Sequence, residues 1–244
     1  MLAKGLRILE DKIRVFVLAG GKGERLFPFS SVIPKCLIPV AGKPCARWIV
    51  EDAIQQGFND IVLCINKKDE SNFKHEFRDL DIKFSVNCEP TGTVDELLCA
   101  QGQGLITDTF ILRYGDDLTE LSFNDMVSFH KAKKAVATLP FTMGLKLPVG
   151  ILKISKNGAV QGFIEKPTLE KPSWIGVAVF EPEVMKYFEP GEDIASNVIP
   201  RLLSAKERVY SFATQNHWYD VGNLEHWRRA DEYFSEKIRQ NGLS

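Results

Sequence analysis

The segment VFVLAGGKG, from Val15 to Gly23, ends an apolar run in three glycines within four positions. A buried strand that ends in such a turn lies at the carboxyl edge of a parallel sheet, where open α/β folds bind ligands. Because glycine has no Cβ atom, the backbone N–H groups of the turn can approach phosphate oxygens closely. The turn favours an anion site, although a glycine run alone also fits a purely structural turn.

Two cations, Arg25 and Lys35, follow the glycines ten positions apart. The loop between them contains Pro28 and Pro34, and each proline fixes its own φ angle and restricts the residue before it. A stiff loop that carries two cations over a glycine turn favours a bound polyphosphate. Two other phosphate motifs do not fit, because the dinucleotide fingerprint would need a glycine in place of Leu26 and the pattern G-x-x-x-x-G-K-[ST] is absent.

The elements that must position these residues alternate along the first half of the chain. Strands are predicted over 13–19, 60–66, 81–87 and 108–114, and helices near 45–56, 69–79 and 94–103. This alternation implies a parallel sheet covered by helices on both faces. Further on, the predicted strands follow one another closely, at 135–141, 149–154, 158–164, 173–180 and 207–213. The last segment predicts an amphipathic helix capped at Asn223.

Composition adds limits on location and partners. Of 244 residues, 44% are hydrophobic and 26% charged, which is typical of a globular protein with its own core. A net charge of -1 gives no sign of nucleic acid or a membrane as partner. The five cysteines are never spaced C-x-x-C, which argues against a disulfide framework or a zinc site. Without a signal sequence or an 18-residue apolar run, a cytoplasmic location is expected.

Two of the histidines, His75 and His130, fall in charged helical stretches and are expected to be solvated.

The stretch GGKGERLFPFSSVIPKCLIPVAGKP (20–44) resembles the signature of the sugar nucleotidyltransferases, or NDP-sugar pyrophosphorylases, with its G-G-x-G-x-R-L-x-P and P-K-x-L-x-P-V-x-x-K-P elements. Matches to later family motifs follow in the family's order: CEPTGTVDELLCA (88–100), YGDD (114–117), GFIEKP (162–167), WIGVAVF (174–180) and WYDVGN (218–223). The chain looks like the catalytic domain of mannose-1-phosphate guanylyltransferases and glucose-1-phosphate thymidylyltransferases.

This resemblance implies an α/β, Rossmann-like fold: a mixed, mainly parallel sheet with helices on both faces and a smaller antiparallel lobe. One domain over 1–244 is expected, with a nucleotide-binding lobe (13–134), a sugar-binding lobe (135–222) and a C-terminal helix (223–244). The left-handed β-helix that some relatives append is not expected.

The resemblance also implies the reaction. A sugar 1-phosphate attacks the α-phosphate of a nucleoside triphosphate, which gives an NDP-sugar and pyrophosphate. The attacking phosphate monoester has a second pKa of about 6, so it is mostly ionised near neutral pH and needs no general base. Two polyanions must instead be held in line while their repulsion is cancelled.

Roles carried over from the family make Arg25, Lys35 and Asp116 catalytic. Arg25 would hold the departing pyrophosphate, Lys35 would neutralise charge at the α-phosphate, and Asp116 and Asp220 would bind Mg²⁺. The expected nucleotide contacts are Ala19, Gly20, Gly21, Gly23, Asn87, Pro90, Gly92 and Thr93. The expected sugar-phosphate contacts are Gly150, Glu165, Lys166, Gly176 and Asp117. For Asp117, a solvent-facing position is an equal alternative. Glu165 and Lys166 can serve one site only if the chain bends there.

Some positions depart from the family pattern. Glu24 replaces a small hydroxyl residue, Val149 replaces an aromatic residue, and Val94 and Asp95 replace small residues. The choice of base and sugar stays open, with GTP and mannose 1-phosphate ahead of dTTP or UTP and glucose 1-phosphate. Homo-oligomerisation is also left open.

Two functions remain: an active, metal-dependent enzyme, and a catalytically silent homologue that binds nucleotide sugar and regulates a partner. The enzyme is favoured because Arg25, Lys35, Asp116 and Asp220 are all present. A dinucleotide-dependent oxidoreductase would leave the later motifs unexplained.

Overall fold

A computed structural model describes residues 13–88, 91–147, 149–214, 217–240 and 242. Pro90, an expected nucleotide contact, lies outside these residues. The strands are β1 (Arg14–Leu18), β2 (Pro39–Val40), β3 (Lys43–Pro44), β4 (Ile61–Asn66), β5 (Lys83–Asn87), β6 (Phe110–Tyr114), β7 (Asp117–Thr119), β8 (Ala137–Thr142), β9 (Leu145–Lys146), β10 (Ile151–Ile154), β11 (Val160–Ile164), β12 (Thr168–Leu169), β13 (Ser173–Trp174), β14 (Val177–Phe180), β15 (Val209–Ala213) and β16 (Trp218–Asp220). The α-helices are α1 (Cys45–Gln55), α2 (Glu70–Glu76), α3 (Thr93–Gly102), α4 (Phe123–Lys133), α5 (Ile199–Ser204) and α6 (Leu224–Gln240).

The main sheet is mixed and has β1 near its centre. β4 and β6 flank β1 in parallel, and β5 continues the parallel part beyond β4. On the other side, β14 runs antiparallel to both β6 and β8, while β15 runs parallel to β8. The expected α/β fold with a mainly parallel sheet is therefore confirmed, and the four parallel strands β1, β4, β5 and β6 fall where the sequence predicts them.

The second half of the chain does not build a separate sheet. β8, β14 and β15 belong to the same sheet as β1. The strand pairs β10–β11 and β9–β12 are antiparallel and stand apart from that sheet. The short pairs β7–β16 and β2–β3 are also antiparallel and separate from that sheet. The division into two lobes at residue 135 stays a prediction.

Helices cover both faces of the sheet because the side chains of its strands alternate between two buried clusters. Val15 and Val17 of β1 pack in one cluster with residues of α1 and α6. Phe16 and Leu18 pack in the other cluster with residues of α3. A strand that is buried on both faces must be apolar throughout, which explains the continuous apolar run of β1.

The expected cap of α6 is present, since Asn223 Oδ1 accepts a hydrogen bond of 2.9 Å from the His226 N–H. His75 is exposed, but the expectation for His130 is wrong. His130 is completely buried, with Nδ1 2.8 Å from Thr138 Oγ1 and Nε2 3.1 Å from Glu181 Oε1. It occupies the inward stripe of α4 with Phe123, Met126 and Val127, so helical periodicity outweighs the charged neighbours in sequence.

Among the described residues, no helix combines the length and the apolar character that a membrane span requires.

Candidate active site

The glycine turn and the YGDD segment meet at one edge of the sheet, because β1 and β6 are parallel and end side by side. Leu18 is paired with Tyr114 in the register of these strands. Just beyond, the Gly115 N–H donates a hydrogen bond of 2.8 Å to the Leu18 carbonyl oxygen. A Cβ atom on Gly115 would lie 2.6 Å from that oxygen, so only glycine lets the segments after β1 and β6 approach this closely.

A cleft of about 540 Å³ opens above this edge. It is lined by the segments 20–25 and 91–93, together with Lys35, Glu96, Asp193 and Gly222. The predicted cations and most of the predicted nucleotide contacts therefore lie in one cavity.

A short pair of strands holds the predicted metal ligands Asp116 and Asp220 beside the cleft, although neither is among the residues that line it. β16 runs antiparallel to β7, and this register places Asp220 opposite Asp117. The Val221 N–H also donates a hydrogen bond of 2.8 Å to the carbonyl oxygen of Asp116. Two motifs that lie about a hundred residues apart in the sequence thus form one structural unit.

Each of the two predicted metal ligands faces a predicted cation. The Lys35 ammonium donates a hydrogen bond to Asp116 Oδ2, and Arg25 Nη2 lies 3.8 Å from Asp220 Oδ2. Lys35 is largely buried, whereas the Arg25 side chain is 67% exposed. Arg25 is therefore free to meet a ligand from the solvent side, while Lys35 is held at the base of the cleft.

The charges in this cluster act on one another. Burial opposes the charge of Lys35, but the neighbouring Asp116 carboxylate raises the pKa of the lysine, which keeps it protonated. Burial, and then the negative charge of Asp116, raises the pKa of Asp220. The pKa of Asp117 is raised well above its usual range for the same two reasons. A ligand cation at this point would relieve the repulsion between the carboxylates.

Asp116 and Asp220 fit a magnesium ion whose other ligands are substrate phosphates and water. Within the described part of the chain, no group of three or more histidine, cysteine, aspartate or glutamate side chains is arranged to hold a metal. Magnesium is commonly bound by one or two carboxylates plus substrate phosphates and water, rather than by an all-protein cage. Two carboxylates beside a cationic cleft match that arrangement.

The glycines of the turn differ in what they permit. Gly23 has a left-handed φ of 68°, and a Cβ atom there would lie 2.9 Å from the Lys35 Cβ. A Cβ atom on Gly21 would meet no atom within 4 Å, so its backbone faces open space. Gly92 is required for another reason, because a Cβ atom there would lie 2.1 Å from the backbone oxygen of Glu192. Gly92 therefore serves packing within the chain.

The segment before α3 is held by acidic side chains that sequence reasoning did not assign. Asp95 accepts hydrogen bonds of 2.8 Å from the backbone N–H groups of both Thr91 and Gly191. Asp193 accepts from the N–H of Thr93 at 3.1 Å and from its hydroxyl at 3.2 Å. Asp95, which replaces a small residue of the family pattern, thus ties the segment before α3 to the backbone at Gly191.

Two other expected nucleotide contacts hold the backbone. Asn87 donates to the Asp95 carbonyl oxygen at 3.1 Å. The amide of Ala19 donates to the Cys64 carbonyl oxygen within the sheet.

Asp117 does not face solvent. It is 6% exposed, and Trp218 Nε1 donates to its Oδ1 at 3.1 Å. Gly176, another expected sugar-phosphate contact, packs directly against it, since a Cβ atom on Gly176 would lie 1.9 Å from Asp117 Oδ2. Of the two alternatives for Asp117, the structure rules out the solvent-facing one.

The remaining sugar-phosphate candidates lie elsewhere. Glu165 and Lys166 form an exposed bend between β11 and β12, where Lys166 has a positive φ of 46°. The bend supplies the change of direction that these adjacent residues need to serve one site. A Cβ atom on Gly150 would lie 3.1 Å from Glu165 Oε2, so these two are neighbours. None of the three lines the described cleft.

Glu96 is, with Asp193, an acidic residue that lines the cleft and that sequence reasoning missed. It lies on the buried stripe of α3 with Val94, Leu97 and Ala100, and is only 4% exposed. Its Oε2 accepts a hydrogen bond of 3.0 Å from the Gly20 N–H. Burial raises its pKa to about 8. The sequence contains a signal for this residue, because a glutamate on an apolar helical stripe, directly after a predicted nucleotide loop, indicates a buried carboxyl group near the ligand.

Comparison with known proteins now decides the family. The model of the nucleotidyl transferase family matches residues 14–237. The chain belongs to this family. It is 27% identical over 93% of its length to a UTP–glucose-1-phosphate uridylyltransferase from Synechocystis. It is 30% identical over 94% of its length to a mannose-1-phosphate guanyltransferase from Schizosaccharomyces pombe. The alignments span 65% and 66% of these relatives, just under two thirds of their length.

The fold of a solved structure agrees. HddC from Yersinia pseudotuberculosis, crystallised with GMP-PN, superposes with a TM-score of 0.70 at 22% identity, over 91% of this nucleotidyltransferase chain and 99% of HddC. At this identity the likeness concerns the fold. The resemblance to sugar nucleotidyltransferases that the motifs indicated is confirmed by the family match and by the named relatives.

Proposed function

We propose that this protein transfers a nucleotidyl group from a nucleoside triphosphate to a sugar 1-phosphate, with Mg²⁺, and releases pyrophosphate. The observation that carries the proposal is the pairing of Lys35 with Asp116 and of Arg25 with Asp220 at the mouth of the glycine turn. A silent homologue has no need for two cations that line one cleft and two carboxylates that pair with them at its edge.

The reaction needs positioning and charge neutralisation more than proton transfer. An oxygen of the sugar phosphate forms a bond to the α-phosphorus, while the bond from that phosphorus to the bridging oxygen breaks and pyrophosphate leaves with the electron pair. Lys35, protonated and fixed beside Asp116, meets the charge that builds up on the α-phosphate. The exposed guanidinium of Arg25 holds the leaving pyrophosphate with its planar set of donors.

Asp116 and Asp220 would hold the magnesium ion, which when bound neutralises the phosphate oxygens and fixes their orientation. The backbone N–H groups of the turn at 21–23 would bind phosphate oxygens. Asp117, Gly176 and the bend at Glu165 and Lys166 would contact the sugar phosphate.

GTP with mannose 1-phosphate is the substrate pair we favour, and dTTP or UTP with glucose 1-phosphate comes next. Support comes from the relatives named as mannose-1-phosphate guanyltransferases and from the structure of HddC with GMP-PN. The relative named as a UTP–glucose-1-phosphate uridylyltransferase supports the second pair.

The test is pyrophosphate release by the purified protein with Mg²⁺, measured for GTP, dTTP, UTP, CTP and ATP against mannose, glucose, galactose and glucosamine 1-phosphates. The proposal expects release that needs both substrates, stops with EDTA and is lost in Lys35→Ala. Binding of nucleotide without release in any combination would contradict it and favour a silent, regulatory homologue.

A further inference from the structure

Glu96 is a buried carboxyl group that opens onto the cleft, and the transfer reaction described above does not use it. It reaches from α3 across to the glycine turn, where the Gly20 N–H donates to Oε2 at 3.0 Å. A Cβ atom on Gly20 would lie 3.1 Å from the carboxyl carbon, so a residue larger than glycine at 20 would press on this group. Burying a carboxyl group is costly unless the group has partners, and one backbone N–H satisfies only part of its capacity.

The charges of the cleft show which part of a nucleotide would meet Glu96. Arg25 and Lys35 lie at one end, where Gly222 packs against the guanidinium and Gly23 packs against the lysine stem. Glu96 and Asp193 line the part of the cleft that Gly20 and Thr93 form, since they accept hydrogen bonds from these residues. The cations attract phosphate oxygens, so the triphosphate belongs beside Arg25 and Lys35 and the base beside Glu96.

Asp193 is exposed, and its Oδ1 accepts hydrogen bonds from the Thr93 N–H and hydroxyl, so water can reach its other oxygen. Asp95, on the neighbouring turn, accepts from the backbone N–H groups of Thr91, Gly92 and Gly191. Among the described acidic residues in this part of the cleft, Glu96 is therefore the buried one whose spare acceptor capacity a ligand, rather than bulk water, would use.

The bases differ in what they offer to a carboxylate, which only accepts hydrogen bonds when ionised. Guanine presents two adjacent donors, N1–H and the N2 amino group. Uracil and thymine present a single N3–H between two carbonyl oxygens that a carboxylate repels, and adenine and cytosine present an amino group beside a ring nitrogen acceptor. We propose that Glu96 selects the base of the nucleotide, and that this base is guanine, held through N1–H and the N2 amino group.

This inference rests on the proposed function for the presence of a nucleotide in the cleft. The pKa of Glu96 is raised to about 8 by burial, and the charges of Asp116 and Asp95 act in the same direction. Two donors on guanine favour the ionised form, so binding guanine displaces the proton. A buried group built to accept from a substrate donor discriminates strongly against an analogue that lacks the donor.

The experiment compares GTP with inosine triphosphate, which keeps N1–H but lacks the N2 amino group, by calorimetric titration of the wild-type protein. We expect GTP to bind about tenfold or more tightly than inosine triphosphate, since a hydrogen bond to a charged group is lost. In Glu96→Gln the amide has one acceptor and one donor in place of two acceptors. Its preference for GTP should fall to about twofold or less, and it should bind xanthosine triphosphate, with a carbonyl at C2, better than the wild type does.

Glu24→Gln is the matched control, because it removes a negative charge from the same cleft at the cationic end. It should change the affinities for both nucleotides together and leave their ratio as in the wild type. Equal wild-type affinity for GTP and inosine triphosphate, or tighter binding of UTP than of GTP, would overturn the assignment of guanine. An unchanged ratio in Glu96→Gln would overturn the role of Glu96. All of these measurements report binding and none needs turnover. If the protein selects GTP but releases no pyrophosphate, the proposed transfer reaction is wrong and the role of Glu96 in base selection still stands.

Discussion

Asp220 lies directly opposite Asp117 in the antiparallel pair of β16 and β7, one residue away from the Asp116 carboxylate that accepts from Lys35. The backbone register of two three-residue strands, rather than the choice of side chains alone, brings these carboxylates together. The cluster therefore depends on the pairing of β7 with β16, which the Val221 N–H extends by its bond to the Asp116 carbonyl oxygen.

Replacing Asp116 or Asp220 with asparagine should remove turnover. If both hold magnesium, each variant should lose about 100-fold or more in the rate of pyrophosphate release. Asp220→Asn should spare stability, because burial and the charge of Asp116 already raise the pKa of Asp220. Asp116→Asn should lower stability as well, because it removes the partner of the largely buried Lys35 ammonium. Asp81→Asn, at an exposed position outside the cleft, is the control. Turnover near the wild-type level with Mg²⁺ in either cleft variant would show that the metal lies elsewhere.

Arg25→Ala should lower turnover by about 100-fold with little effect on the thermal midpoint, because the side chain is 67% exposed and its contact with Asp220 spans 3.8 Å. Lys22→Ala removes a second exposed cation from the lining of the same cleft. A much smaller effect of Lys22→Ala would indicate that the position of the guanidinium matters. Equal losses in the two variants would mean that only the total positive charge matters.

Sequence reasoning recovered the parallel strands because β1, β4, β5 and β6 are apolar runs bounded by turns, a pattern that local sequence determines. The structure also brings Arg25 and Lys35 together with the two aspartates that the family motifs indicated. Four of the five later predicted strands overlap β8, β10, β11 and β15. The fifth, 173–180, contains two strands, β13 and β14, separated by Gly176 with its φ of 69°.

Sequence alone does not distinguish the glycines that only face the cleft from those that also pack within the chain. Gly92 lines the cleft, and its role as a nucleotide contact stays a prediction, but the backbone oxygen of Glu192, a hundred residues away, also excludes a side chain there. His130 looked solvated because its neighbours are charged, but its place on the inward stripe of α4 buries it. The groups that contact Gly92 and His130 lie on other segments of the chain, so the local sequence pattern does not indicate them.

Gly176→Ala should destabilise the protein more than Gly158→Ala. Both glycines have positive φ angles, 69° and 87°, so an alanine strains the backbone in either place. A Cβ atom at 176 would in addition lie 1.9 Å from Asp117 Oδ2, whereas one at 158 meets no atom within 4 Å. We expect the difference in free energy of unfolding between the variants to be about 1–3 kcal/mol, measured by urea denaturation. Equal losses would mean that Asp117 moves aside without cost.

Glu96 should make the stability of the nucleotide-free protein depend on pH in a way that Glu96→Gln removes. Burial raises the pKa of this carboxyl group from 4.5 to about 8 in the folded state, so between these values the folded protein binds more protons than the unfolded chain. Its contribution to stability is complete below pH 4.5 and is lost as the pH rises through about 8. The loss amounts to about 5 kcal/mol for a shift of this size.

The free energy of unfolding, measured in urea at a series of pH values from about 5 to 9, should therefore fall more steeply for the wild type than for Glu96→Gln. The two proteins should be most alike at the acidic end, where the native carboxyl group is neutral like the amide. Glu24→Gln, at an exposed position, should run parallel to the wild type throughout. Parallel curves for the wild type and Glu96→Gln would mean that the Glu96 carboxyl group ionises as it does in water, which its burial beneath Gly20 does not allow.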